Sequence, residues 1–173
     1  YNPALQFYHY SESRPFPIEP FLHQVEILSR CMLRDPVRIL IGDEIGLGKT
    51  ISAIVLGNYL QKVRRVKNVL VLVPRILVPQ WIEELSYWIG TGNVYQVERE
   101  HLDSLKDKGF PSGWYVISMD LLVRNEHVRK IILKVDWELV IVDEAHKVSP
   151  QTAEKRWRYI GEELIAKYPN RNV

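Results

Sequence analysis

Apolar residues recur along this chain in two rhythms, and the alternation between them predicts an α/β fold. Residues 37–41, 68–73, 114–118 and 138–142 are almost continuously apolar, and a shorter run covers 94–97. Short unbroken runs of this kind suit strands buried on both faces, the habit of a parallel sheet. Between them the spacing widens to three or four. Phe21, Val25, Leu28 and Met32 trace one helical face, with Gln24 near its start, and residues 51–60 trace a second. Residues 151–168 trace a third, with Ala153, Trp157, Ile160, Leu164 and Tyr168 on one side and an i,i+4 pair, Glu154 and Arg158, on the other. The alternation predicts three layers, a mostly parallel sheet with helices on both faces, and a ligand site at the strands' C-terminal ends. Residues 1–20 break the rhythm: Phe7, Tyr8, Tyr10, Pro15, Phe16, Pro17 and Pro20 predict an extended segment, which leaves 21–173 as the domain.

The first apolar run leads into Asp43-Glu44-Ile45-Gly46-Leu47-Gly48-Lys49-Thr50, and the helix over 51–60 follows. Strand, glycine-bearing loop and helix are the parts of a phosphate site. Gly46 and Gly48 let the backbone approach phosphate oxygens, Lys49 reaches the β and γ phosphates, and the Thr50 hydroxyl holds Mg²⁺ at a helix start whose dipole favours anions. The loop departs from the widely used pattern at its first position, where Asp43 replaces glycine. A second signal follows the run over 138–142, which ends in Asp143-Glu144-Ala145-His146. At a strand's C-terminal end, Asp143 is expected to orient water on Mg²⁺, and Glu144 to accept a proton from the attacking water. Lys49, Asp143 and Glu144 are therefore the expected catalytic set, with Thr50 and Asp143 on the metal.

Composition narrows the class without choosing the partner. At 173 residues, 46% hydrophobic and 25% charged, the chain has the material for one domain with a sizeable core. The single cysteine, Cys31, lies beside Leu28 and Met32 on the first helix and is expected to be a core thiol. No run approaches the roughly twenty apolar residues of a membrane span, and no charged-then-apolar leader opens the chain. The expectation is a reducing compartment and no membrane: cytoplasmic, or nuclear in a eukaryote. A net charge of +2 is too small to argue for nucleic acid. The cluster Lys62, Arg64, Arg65 and Lys67 fits a solvated helix end, while Arg124, Arg129, Lys130 and Lys134 stay open. The start at Tyr1 and the end at Asn172-Val173 suggest a piece of a larger protein.

In order, these motifs resemble the first motor domain of the Swi/Snf family of superfamily-two DNA translocases, nearest its RapA/HepA branch. The resemblance covers about residues 18–150. Ile18-Glu19-Pro20-Phe21-Leu22-His23-Gln24 looks like the adenine-reading segment, and Asp43 to Thr50 like the phosphate loop. The stretches 71–81 and 116–122 look like two DNA-contacting motifs, and 143–147 like the Mg²⁺ box. The resemblance implies a RecA-like P-loop NTPase domain that takes ATP and Mg²⁺, with Gln24 on the adenine. It implies Pro74, Arg75, Gln80, Trp81, Ser118 and Met119 bordering duplex DNA, and His146 coupling the nucleotide site to a second RecA-like domain. RNA polymerase or another nucleoprotein complex is the implied partner. Trp81 with Leu85 and Trp88 also suits plain helix packing, and Ser118 and Met119 also suit structural roles. The family's next motif and its second motor domain lie outside the chain, so the chain by itself is expected to hydrolyse ATP poorly. Two other readings are an ATP-regulated nucleic-acid or partner-binding module without turnover, and the lobe of a DEAH-type RNA helicase.

Overall fold

The computed structural model describes residues 22–41, 48–149 and 153–173. The expected extended segment at 1–20, and Asp43, Glu44, Ile45, Gly46 and Leu47 of the loop, lie outside the described residues. The chain divides into two compact units, Tyr1–Val66 and Lys67–Val173.

In the first unit, helix α1 (Leu22–Met32) packs on helix α2 (Lys49–Arg64). Leu28 and Cys31 are buried, as the i, i+3 spacing predicts, and Gln24 is buried with them. The last turn of α2 carries Lys62 and Arg64, where cations complement the helix dipole. Arg65 closes the helix in a left-handed conformation, its N–H returning to the Leu60 carbonyl. Arg64 donates to Asp35 Oδ1 at 3.2 Å and to the Arg34 carbonyl, so this basic cluster is a built helix end.

Residues 37–41 do not form the expected strand. Val37 is buried, but Leu40 is 81% exposed. A strand buried on both faces is stable only inside a ladder, and every strand among the described residues belongs to the second unit.

That unit holds a four-stranded sheet in the order β2-β3-β1-β4, parallel throughout: β1 (Asn68–Val73), β2 (Val94–Gln96), β3 (Gly113–Ser118) and β4 (Leu139–Val142). Leu70 lies opposite Tyr115 and Val140, and Leu72 opposite Ile117 and Val142, which aligns one sheet face. That face joins a core with helices α4 (Leu102–Asp107), α5 (Met119–Arg124) and α6 (Glu126–Ile132). Tyr115 stacks on Tyr95 at 4.8 Å and meets Trp137 edge-on at 5.2 Å, within the offset and edge geometries that aromatic rings prefer. The polar tips are satisfied: the Trp137 indole donates to the Ile132 carbonyl at 2.8 Å, and the Tyr115 hydroxyl to that of Pro111. Burial, and after it the Tyr95 hydroxyl, raises the pKa of Tyr115. On the other face Val69, Val71, Trp114 and Val116 are fully buried. Helix α3 (Val78–Ile89), which buries Val78, Trp81 and Leu85, packs along β2 and β3.

The C-terminal helix differs from its pattern. It begins as α7 (Glu154–Arg156) and continues over Trp157–Ala166 in π geometry, with the Lys167 N–H reaching back five residues to Glu162. Ile160 and Leu164 are buried as expected, but Trp157 is 36% and Tyr168 37% exposed. Arg129 of the undecided basic group is structural: it donates to the Val123 carbonyl at 2.7 Å and lies 3.9 Å over the Tyr159 ring. Among the described residues no helix is long and apolar enough to cross a membrane.

Candidate nucleotide and nucleic-acid site

At the start of α2 the geometry is set by Gly48. Its φ of 77° is a conformation L side chains seldom adopt, and a Cβ there would stand 2.6 Å from Gln24 Nε2. The Gly48 carbonyl accepts from Gln24 Nε2 at 3.2 Å, from the Ser52 N–H at 3.0 Å and from Ser52 Oγ at 3.1 Å. Gln24, 2% exposed, is therefore tied to the helix that carries Lys49 and Thr50. Glycine brings no side-chain cap, and the first turn contains no acidic residue. A helix start of that kind suits an anion.

At the end of β4 the site is made of side chains. The Asp143 N–H continues the ladder to the Leu72 carbonyl at 2.9 Å, which projects the carboxylate past the sheet. Both carboxylate oxygens receive a donor: Oδ2 from the Trp81 indole at 2.9 Å, and Oδ1 from the Glu144 N–H at 2.8 Å. Glu144 sits at φ 55°, ψ 45°, left-handed for a residue with a full side chain, which marks a strained position. His146 Nε2 lies 3.2 Å from Glu144 Oε2 and Lys147 Nζ 3.9 Å from it, while the Glu144 side chain stays 31% accessible. Asp143, Glu144 and His146 thus form one connected group.

Among the described residues no three His, Cys, Asp or Glu side chains gather as a metal cage. Mg²⁺ does not require one, since it commonly takes one or two carboxylates, substrate phosphates and water. Asp143, with both oxygens oriented and further lone pairs on each, fits that habit.

The nucleic-acid candidates separate. Pro74 and Arg75 open a 3-10 turn (Arg75–Leu77) behind β1, and Gln80 is exposed on the first turn of α3. Ser118 caps α5, its hydroxyl accepting from the Leu121 N–H at 3.1 Å. Trp81 and Met119 are the buried ones, at 3% and 1% exposed: the first donates its indole N–H to Asp143, and the second joins the core. A cavity of about 380 Å³ opens among Pro74, Arg75, Ile76, Met119, Asp120, Lys147 and Arg156. It lies beyond the C-terminal ends of the strands and gathers three cations around one carboxylate, with Arg156 paired to Asp120 at 3.0 Å. Sequence reasoning missed Lys147 and Arg156 here, because nothing in their local pattern marks them as neighbours of Arg75.

The SNF2-related domain model matches residues 22–161 of this chain. The chain is 32% identical over 153 residues to the uncharacterized ATP-dependent helicase YqhH of Bacillus subtilis (strain 168), a match covering 86% of this chain and 25% of that protein. It is 30% identical over 151 residues to the RNA polymerase-associated protein RapA of Sodalis glossinidius (strain morsitans), covering 85% and 16%. The chain thus spans a quarter or less of the curated relatives it matches. Among solved structures, the Sulfolobus solfataricus SWI2/SNF2 ATPase core in complex with dsDNA superposes with a TM-score of 0.65 at 22% identity, covering 84% of this chain and 31% of that one. The UvsW helicase from Bacteriophage T4 gives 0.60 at 15%, covering 84% and 50%. At those identities the structural likeness speaks for the fold alone, a RecA-like helicase core. No support for a DEAH-box assignment comes from these relatives.

Proposed function

The chain belongs to the SNF2-related domain family as an ATPase/helicase motor domain, and on that footing we propose that it is the first motor lobe of an ATP-driven translocase on double-stranded DNA. The observation that carries the reading is the pair at the end of β4: a carboxylate oriented through both oxygens, followed by a glutamate held in a strained conformation.

In this reading Lys49 binds the β and γ phosphates and the α2 start receives them through backbone N–H groups. Gln24 reads the adenine, and its bond to Gly48 ties base recognition to the phosphate-binding helix. Thr50 and Asp143 would be the residues to hold Mg²⁺, which would supply charge neutralisation at the phosphates. Glu144 accepts the proton of the in-line water, and His146, paired to Glu144, relays the state of that carboxylate to a second RecA-like domain. Pro74, Arg75, Gln80 and Ser118 border the DNA, where the cationic cavity suits backbone phosphates.

Duplex DNA as the substrate rests on the family reading, and relatives named RNA polymerase-associated favour a nucleoprotein complex as the partner. The test is a pair of variants in the longer protein that carries this lobe. Lys49→Ala is expected to lose nucleotide binding, whereas Glu144→Gln keeps it and loses turnover by about 10² to 10⁴. Turnover surviving in Glu144→Gln would sink the assignment.

A further inference from the structure

Trp81 connects two regions that have separate jobs in the reading above. Its helix, α3, follows directly on the 3-10 turn of Arg75 and carries exposed Gln80 in its first turn. Its indole N–H donates to Asp143 Oδ2 across 62 residues of sequence. The residue is 3% exposed, and a buried indole N–H keeps its partner. The Glu144 N–H holds the other oxygen, Oδ1. Two donors on two oxygens fix the rotation of the carboxylate as well as its position. A displacement of α3 by about half an ångström or more would carry a 2.9 Å bond beyond the usual range of about 2.7–3.2 Å, so the carboxylate must turn with the helix or lose this donor.

We propose that Trp81 is a positioning residue for Asp143: it sets the orientation of the metal-side carboxylate and passes movement of α3, when nucleic acid engages Arg75 and Gln80, to the hydrolytic site. This rests on the reading of Asp143 as the Mg²⁺-side carboxylate. Residues that orient metal ligands typically change metal affinity or activity by roughly 10- to 100-fold when lost.

The test has two parts. In the longer protein, Trp81→Phe keeps the ring and removes the N–H. It is expected to leave the KM for ATP unchanged, to raise the Mg²⁺ concentration for half-maximal rate about tenfold, and to shrink stimulation by duplex DNA. A ring that merely packs would lower the melting temperature and leave the Mg²⁺ midpoint in place. Independently of turnover, the 15N–1H spectrum of the full chain contains indole signals from 5 tryptophans. The one missing in Trp81→Phe is expected to shift and to exchange faster with solvent in Asp143→Ala, the others staying in place.

An unmoved Trp81 signal in Asp143→Ala, or a wild-type Mg²⁺ midpoint in Trp81→Phe, overturns the inference. Should Trp81→Phe fail to fold, selective labelling of Trp81 in the Asp143→Ala chain still decides. If Lys49→Ala and Glu144→Gln behave as stated while the Trp81 tests fail, the functional reading stands and this inference falls. If Lys49→Ala keeps binding ATP, the functional reading falls whatever Trp81 does.

Discussion

The start of α2 in the first unit and the end of β4 in the second are built by opposite means. At Gly48 the working parts are backbone groups, and the side chains nearby, Gln24 and Ser52, serve to hold a carbonyl. At Asp143 the working parts are carboxylates, held by an indole from another helix, a neighbouring N–H, a histidine and a lysine. The first kind of site is written in a few consecutive residues, because a positive φ and a missing Cβ both demand glycine. The second depends on which distant side chains the fold brings near, and its local sequence states only that two acids follow a strand.

The contrast can be broken most severely at the backbone end. Gly48→Ala puts a side chain at φ 77° and a Cβ against Gln24, which displaces the amide from the carbonyl it serves. Nucleotide binding is expected to be lost in a titration calorimeter, and chemical unfolding is expected to show a destabilisation of roughly 2 kcal/mol.

At the carboxylate end the signs separate. Glu144→Gly relaxes a left-handed residue and is expected to stabilise the fold by about 0.5 to 1 kcal/mol, while turnover disappears. A destabilised and inactive variant would mean that the conformation at Glu144 is not a store of strain.

The smallest effect is expected at Cys31, which serves neither site. Burial pushes its thiol from the ordinary 9.0 up to about 11, against the lowering pull of Arg34 and Arg64. The folded thiol thus keeps its proton where the unfolded one has lost it. Its contribution to stability is whole below about pH 9 and is lost as pH rises to about 11. Native protein at pH 8 should resist iodoacetamide until it is unfolded, and rapid labelling would contradict the burial.

The same division explains what was legible in the sequence. Residues 68–73 are strand because the five apolar residues in a row after Asn68 suit a parallel strand covered on both faces, and β1 (Asn68–Val73) is buried from Val69 on. Residues 37–41 carry the same local message and form no strand, since strand formation is settled by ladder partners that the run itself does not name. The π geometry of Trp157–Ala166 was likewise invisible, because a spacing of four between Ile160 and Leu164 suits both helical forms. Asp143 was found by its motif. Trp81 carries two readings in the sequence, a DNA border from the resemblance and helix packing from its spacing with Leu85 and Trp88, and nothing in residues 71–81 says that its N–H ends on a carboxylate 62 residues later.

The central claim is tested most directly by the ATP hydrolysis rate of the longer protein, with and without duplex DNA, at two salt concentrations. A DNA-driven motor predicts stimulation by duplex that fades as salt rises, the mark of phosphate-backbone contacts. A rate that duplex DNA leaves unchanged at both salt concentrations would contradict it.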